Sequence, residues 1–433
     1  MKKVIATLLA SAMVFSALGG LVACGGDDGD DKNTLVVWAP QAAIAGYESL
    51  VAGWKEANPD YAGLNVIFTA VDEGEAETKL NTDASKGADV FFFEAGQING
   101  LQEKNLLQGL GATVTAEIKA RDLEADYNPI LTNGVAMAFP TTADNGYFLW
   151  YDNTVISDKQ AETLDGILAA AKAADKNVMF DYANGWYLPS FWFGAGLKMD
   201  YEGDTYVTDI DSAKGQEVAK AVNKYLGPTD NKLSGNNKAC IIKHASNFNT
   251  EIGDGFASGT VAAGIIGTWV ADDIQKKMAS ATRVDGATYD DIKCAKLPTY
   301  TLGNEQVQMG SFMGDKYCGV NAQKKTGNIE ASISLANYFT NENGQRVRFE
   351  KTQAAPTNKN LRESEAVTAN KAIVAVYDQN KKGGYLQLQQ SSNFWTSWET
   401  FGNGLYKGTA AGATLADADV LTALTTLATT IKT

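Results

Sequence analysis

Histidine is almost absent from this chain: His244 is the only one in 433 residues. A Ser-His-Asp triad or a histidine proton relay is therefore not expected. Cysteine is scarce, at four, and its spacings match no zinc motif, so no metal is expected. Basic residues are outnumbered, 37 against 51 acidic, for a formal net charge of −14. No basic cluster offsets that balance, which argues against nucleic acid or an anionic membrane surface as partner. Long apolar runs are missing as well. The one at residues 4–18 is shorter than the roughly 20 residues a membrane span needs. Carboxylates are plentiful, so counting alone does not exclude a glycosidase pair, but no local signature picks one out. A cofactor motif is also lacking. Gly253-Asp254-Gly255 only superficially resembles a dinucleotide loop; these residues follow a helical pattern, not a strand, and read as turn glycines.

The N-terminal residues that are present have the layout of a secretion signal. Lys2 and Lys3 precede the apolar stretch, Gly19 and Gly20 break it, and Leu21-Val22-Ala23-Cys24 closes it. That last segment resembles a bacterial lipobox, in which the cysteine is lipidated and becomes the mature N-terminus. Residues 1–23 are then a lipoprotein signal peptide and Cys24 the anchor, since two acyl chains on one residue hold a protein stably at a membrane. Removing residues 1–23 takes away Lys2 and Lys3 and no acid, which makes the mature chain more acidic still. Residues 24–34 hold no apolar side chain beyond Cys24, and their aspartates repel one another, so they form an extended acidic tether. Their spacing matches no calcium loop.

Beyond the tether, strand and helix patterns alternate, which predicts an α/β fold. Leu35-Val36-Val37-Trp38 reads as a first strand. Tyr47, Leu50, Val51 and Trp54 share one helical face, and Asn58-Pro59 ends that helix. Leu64, Val66, Phe68 and Ala70 alternate as a strand. A polar helix is expected around residues 73–86, followed by the buried strand Asp89-Val90-Phe91-Phe92-Phe93. Further on, strands are expected at 146–151, 178–180, 261–266 and 293–297, the last returning to the first lobe. Helices are expected at 163–174, 216–226, 246–257 with Gly259 just past its end, 329–339 and 414–431. The length suggests two lobes of ordinary domain size.

Four aromatics stand out by position. Phe93, Trp186, Trp269 and Trp395 fall at or near strand ends or in loops punctuated by Gly and Pro, where ligands of open α/β sheets bind. A sugar ring has apolar C–H faces suited to aromatic plates, and a rim of hydroxyls suited to carboxylates and amides.

Over about residues 35–433 the chain resembles the maltose/maltodextrin-binding group of bacterial extracellular solute-binding proteins. Leu35-Val36-Val37-Trp38 looks like that family's opening strand. Asp89-Val90-Phe91-Phe92-Phe93 resembles its strand ending in an aromatic sugar contact, which implies that role for Phe93. Phe139-Pro140, Asp144-Asn145 and Leu149-Trp150-Tyr151-Asp152-Asn153 resemble the segment crossing to the second lobe, which carries an acidic sugar contact at Asp144 or Asn145. Met179-Phe180-Asp181 leads to Trp186 at the position of an aromatic plate. Gly267-Thr268-Trp269 resembles the Gly-Pro-Trp that supplies another, and Ser392-Asn393-Phe394-Trp395 the Ser-Ala-Phe-Trp that supplies the last. The sequence departs from the family where Ala39-Pro40-Gln41-Ala42-Ala43 replaces an acidic–basic pair. Gly96 stands at an aspartate contact, with Glu94 and Gln97 as neighbours able to substitute, and Glu399 replaces a basic residue.

The resemblance implies a periplasmic-binding-protein-like fold, with two α/β lobes, a ligand cleft between them and a hinge of several crossings. The expected N-terminal lobe is 35–142 plus 297–345, and the C-terminal lobe 143–296 plus 346–433. Three pairings are open among Cys240, Cys294 and Cys318; Cys240–Cys294 is favoured because both fall in the expected second lobe. The expected function is delivery of a sugar, of maltose or maltodextrin type, to the permease subunits of an ABC transporter. The protein would be a monomer anchored by Cys24 on the outer face of the cell membrane, without cofactor or catalysis. A binder of another oligosaccharide or small solute, and a surface-anchored enzyme acting on glycans, are the alternatives.

Overall fold

A computed structural model describes residues 32–202, 205–226, 241–242, 247–324, 327–387, 390–410 and 415–432. Cys24 and the whole signal segment, Cys240 and His244 lie outside the described residues.

Two five-stranded sheets organise the chain. In the first, Thr34–Ala39 pairs in parallel with both Asn65–Ala70 and Val90–Glu94, while Lys316–Val320 runs antiparallel between Val90–Glu94 and Phe139–Thr142. Val90 to Phe93 are all buried, as a strand covered on both faces requires. Phe92 stacks on Tyr47 at 4.7 Å on one face, whereas Phe91 and Phe93 lie 5.5 Å apart on the other. In the second sheet, Asn177–Met179 lies parallel to Ile241–Ile242 and Val261–Ile266, and Phe148–Asp152 runs antiparallel between Val261–Ile266 and Ile292–Ala295. Val261–Ile266 and Phe148–Asp152 are buried throughout.

Each sheet has its own apolar core. One gathers residues between Leu35 and Phe139 with Tyr317 to Phe339; the other gathers Tyr147 to Phe312 with Ala372 to Ile431. The chain passes between the sheets after Phe139–Thr142 and before Lys316–Val320, and it reaches the second core again at helix Lys371–Gly383.

Several expectations need correction. The strand near 293–297 is Ile292–Ala295, and it pairs with Phe148–Asp152 in the second sheet instead of returning to the first. The return is made by Lys316–Val320, whose leading lysine and internal Gly319 mask its strand character. Leu297, Tyr300, Met309 and Phe312 pack in the second core, although 297 onward was expected with the first lobe. The helix expected at 73–86 is broken into Glu73–Glu75, Ala76–Thr82 and Ala84–Lys86. Gly253 and Gly255 are not turn glycines. They lie inside helix Phe248–Ser258, where a Cβ on Gly255 would overlap Val261. Gly259 does cap that helix, at φ +73°. Cys294 and Cys318 are free thiols, so the Cys240–Cys294 bridge is not formed; Cys294 sits opposite Trp150 within the sheet.

Among the described residues, no helix is long and apolar enough to cross a membrane, and no His, Cys, Asp and Glu group is placed to hold a metal.

Candidate binding groove

Strand Val90–Glu94 delivers its last residue, Glu94, to a cavity of about 450 Å3. Phe93, one residue earlier, does not reach it: its ring is fully buried, 5.7 Å from Tyr317. Strand alternation explains the difference, since Phe93 points into the core that also takes Phe91. The carboxylate of Glu94 accepts a hydrogen bond from Gln387. Gln387 is oriented in turn by Asn145, whose Nδ2 donates to its Oε1 at 2.5 Å. Asn145 thus acts on the cavity through Gln387 and does not line it. Gln97 lines the cavity but is held by its backbone neighbours, donating to the Glu73 carbonyl at 2.9 Å and accepting from the Glu77 amide at 3.1 Å. Glu77, Thr78 and Gln390 complete the polar rim.

Asp144 is displaced from the expected contact. It is buried, and its Oδ2 accepts from the Thr268 hydroxyl at 2.7 Å and the Ala355 amide at 3.0 Å. It ties the crossing segment to two other stretches of chain and lines neither half of the groove.

Beneath Glu94 lies a buried charge network. Lys316 sits opposite Glu94 in the strand register and is 3.3 Å from Glu73. Arg348 binds Glu73 at 2.6 Å and the Tyr47 hydroxyl at 3.1 Å. Burial alone would raise the Glu73 carboxyl, but the charges of Lys316 and Arg348 outweigh it and hold the pKa at about 2. For Glu94, burial wins over Lys316 and pushes the carboxyl up.

The tryptophans form the other wall. Trp186 lies in the loop after Asn177–Met179, its amide donating to Asn184 Oδ1 at 2.8 Å. Its ring stacks on Phe312 at 5.0 Å and stands 6.3 Å from Trp395, tilted by 33°. That spacing makes one angled aromatic wall, too close for a sugar ring to enter between the two. Trp395 is the second residue of helix Phe394–Ala410; Phe394, Trp398, Phe401 and Leu405 face the core, so Trp395 is left 39% exposed. Trp186 also borders a second cavity of about 470 Å3, with Asp181, Asn184, Tyr187, Asn249 and Trp269. Trp269 stands in the turn ending strand Val261–Ile266, is 37% exposed, and donates Nε1–H to Asn249 Oδ1 at 3.3 Å.

The structure therefore brings Glu94, Gln97, Trp186 and Trp395 around one cavity, joins Trp269 to it through Trp186, and sets Phe93, Asp144 and Asn145 behind it. Glu77, Asn184, Asn249, Gln387 and Gln390 were not foreseen, because single polar residues in loops and on exposed helix faces carry no pattern. A larger cavity of about 510 Å3 adjoins across Gln387, with mostly apolar walls and the Asp126–Arg362 pair at 2.9 Å. It lacks an exposed tryptophan.

The profile of the bacterial extracellular solute-binding proteins matches residues 49–375. The chain belongs to that family. The family is one of extracytoplasmic solute binders. A curated relative is the galactooligosaccharide-binding protein of Bacillus subtilis (strain 168), 23% identical over 388 residues and covering 83% of each chain. Among solved structures, the unliganded maltodextrin-binding protein MalE1 of L. casei BL23 superposes with a TM-score of 0.72 at 21% identity, over 92% of this chain and 99% of that one. The GacH receptor of Streptomyces glaucescens, solved unliganded and with acarbose, gives 0.70 at 18%, over 92% and 98%. These likenesses show the fold: this solute-binding protein has the two-lobed α/β architecture.

Proposed function

We propose that this solute-binding protein captures an oligosaccharide of the maltodextrin type and passes it to an ABC importer, held at the membrane by a lipid on Cys24. The observation that carries the reading is the row of partly exposed tryptophans, Trp395, Trp186 and Trp269, along two adjoining cavities rimmed by carboxylates and amides. Aromatic faces stack on the C–H faces of successive sugar rings, and the rim meets the hydroxyls. Of the relatives named above, two are named for galactooligosaccharide and maltodextrin and the third was solved with acarbose, which supports an oligosaccharide over a single sugar. Closure of the lobes about the crossings would bury the ligand and present the importer with a distinct surface, to the extent that the ligand binds the closed form better.

Trp269→Ala tests the assignment. Isothermal titration with maltotriose should show most of the affinity gone, while the melting temperature of the free protein barely changes. Unchanged affinity would remove Trp269 from the site. A galactooligosaccharide titrated in parallel separates the two sugar classes, and sugar analysis after incubation with maltotetraose should show no product.

A further inference from the structure

The groove cavity and the larger apolar cavity lie back to back, and among the described residues only Gln387 lines both. On its groove side stand Glu94, Trp186 and Trp395; on the other stand Ile98, Met313 and Leu386. The short turn Ala95–Gln97 continues the partition, giving Gly96 and Gln97 to the groove and Ala95 to the cavity behind.

Gln387 is 5% exposed and is held from three directions. Its main-chain N–H donates to the Met313 carbonyl at 2.7 Å. Its Oε1 accepts from Asn145 at 2.5 Å, which leaves its Nε2 to donate to the Glu94 carboxylate. Asn145 in turn donates its main-chain N–H to the Gly314 carbonyl at 3.1 Å, so two crossing segments meet at this one side chain. Swinging Gln387 aside would break both of its side-chain bonds. It would leave the buried Asn145 amide and the Glu94 carboxylate short of partners, a loss larger than one ordinary hydrogen bond returns. Room is not what is missing behind it. That cavity has about 510 Å3 with mostly apolar walls, and an apolar cavity of about 150 Å3 already holds a benzene ring.

We propose that Gln387 determines specificity by closing the groove at the Glu94 side. It admits a sugar chain whose last unit there is unsubstituted and rejects one carrying an apolar group, and a shorter residue at 387 lets the cavity behind take that group. The inference rests on the oligosaccharide reading above and adds to it a rule about chain ends.

Isothermal titration with three sugars tests it: maltotriose, its p-nitrophenyl glycoside, and maltotriose capped by a 4,6-benzylidene group on the non-reducing unit. The two capped sugars cover both directions in which the chain can lie. In the wild type at least one of them should bind about tenfold or more weaker than maltotriose. In Gln387→Ala the same sugar should gain about tenfold or more relative to maltotriose, as its ring enters the apolar cavity. Gln387→Met keeps the length of the side chain and loses its polar atoms, and it should keep the wild-type ratio. Melting curves check that each variant folds, and Gln387→Ser replaces the alanine variant if that one does not. If both capped sugars bind the wild type as tightly as maltotriose, or the penalty is unchanged in the shortened variant, the inference fails and the sugar reading stands. It fails as well if Gln387→Met relieves the penalty as Gln387→Ala does, because the cause is then the lost hydrogen bonds and not the bulk. If the wild type binds none of the three, the maltodextrin reading and this inference fall together.

Discussion

Trp395 stands one residue past Phe394, and that single step along a helix decides which of the two is core and which is wall. Phe394 is fully buried, while Trp395 keeps 39% of its surface exposed in the groove. Truncating Trp395 to Ala should therefore lower affinity for a bound oligosaccharide by roughly 10- to 100-fold, the scale of a lost aromatic contact at a binding site, while moving the melting temperature little; paired titration and thermal scans check both. Glu73 is the opposite case. Its carboxylate is buried between Lys316 and Arg348, and removing it leaves two cations facing each other. Glu73→Gln should cost about 3–5 kcal/mol at neutral pH, the cost of breaking a buried ion pair, measurable by urea unfolding. The pH dependence has a definite sign. The folded pKa, about 2, lies below the ordinary 4.5. The stabilisation is thus complete above pH 4.5 and is lost as pH falls from there toward 2. Glu94 pulls the other way, since burial raises its carboxyl and favours the folded state when it is protonated. Urea unfolding from pH 6 to 3 should show a shallower acid decline in Glu73→Gln than in the wild type.

At the scale of elements, periodicity made much of the fold legible. Helix Ile329–Thr340 and the cap at Gly259 were readable because an apolar stripe and a glycine past its end are local signals. The cap carries its own prediction. Gly259 takes φ +73°, and a Cβ there would lie 3.3 Å from Arg283, so Gly259→Ala should cost about 1 kcal/mol or slightly more, read as a lower unfolding midpoint with an unchanged m-value. Strand partners were not legible. Ile292–Ala295 stays in the second sheet, and the return expected of it is made by Lys316–Val320, which no sequence pattern marked, because pairing depends on which edge is open in space, and short strands carry little register information. The site divides along the same line. The tryptophans announced themselves by standing at strand ends and in loops. The direction of Phe93 depended on the parity of a strand, and the diversion of Asp144 depended on Thr268 and Ala355, both more than a hundred residues away. Gln387 acquires a role only because Asn145 is folded against it.

For the whole molecule, the decisive property is that two separately cored sheets are joined by chain segments beside the groove. A ligand that bridges the two sides should stabilise the folded state by mass action, by about 2.7 kcal/mol at a hundred times its dissociation constant, so the melting temperature should rise with sugar concentration. Small-angle scattering should show a smaller radius of gyration on saturation with the same sugar. A thermal shift without compaction would mean that the sugar binds one lobe only.

Gly267 has no side chain, and that vacancy sets the shape of the groove. A Cβ there would overlap the ring of Trp269 and the carbonyl of Gly146. The indole can fold back only because nothing occupies that space. One methyl group at this position would displace the ring beside Asn249 and press on the backbone of the crossing segment at Gly146 as well. The wall of the groove is thus shaped in part by a residue that has no side chain to offer it.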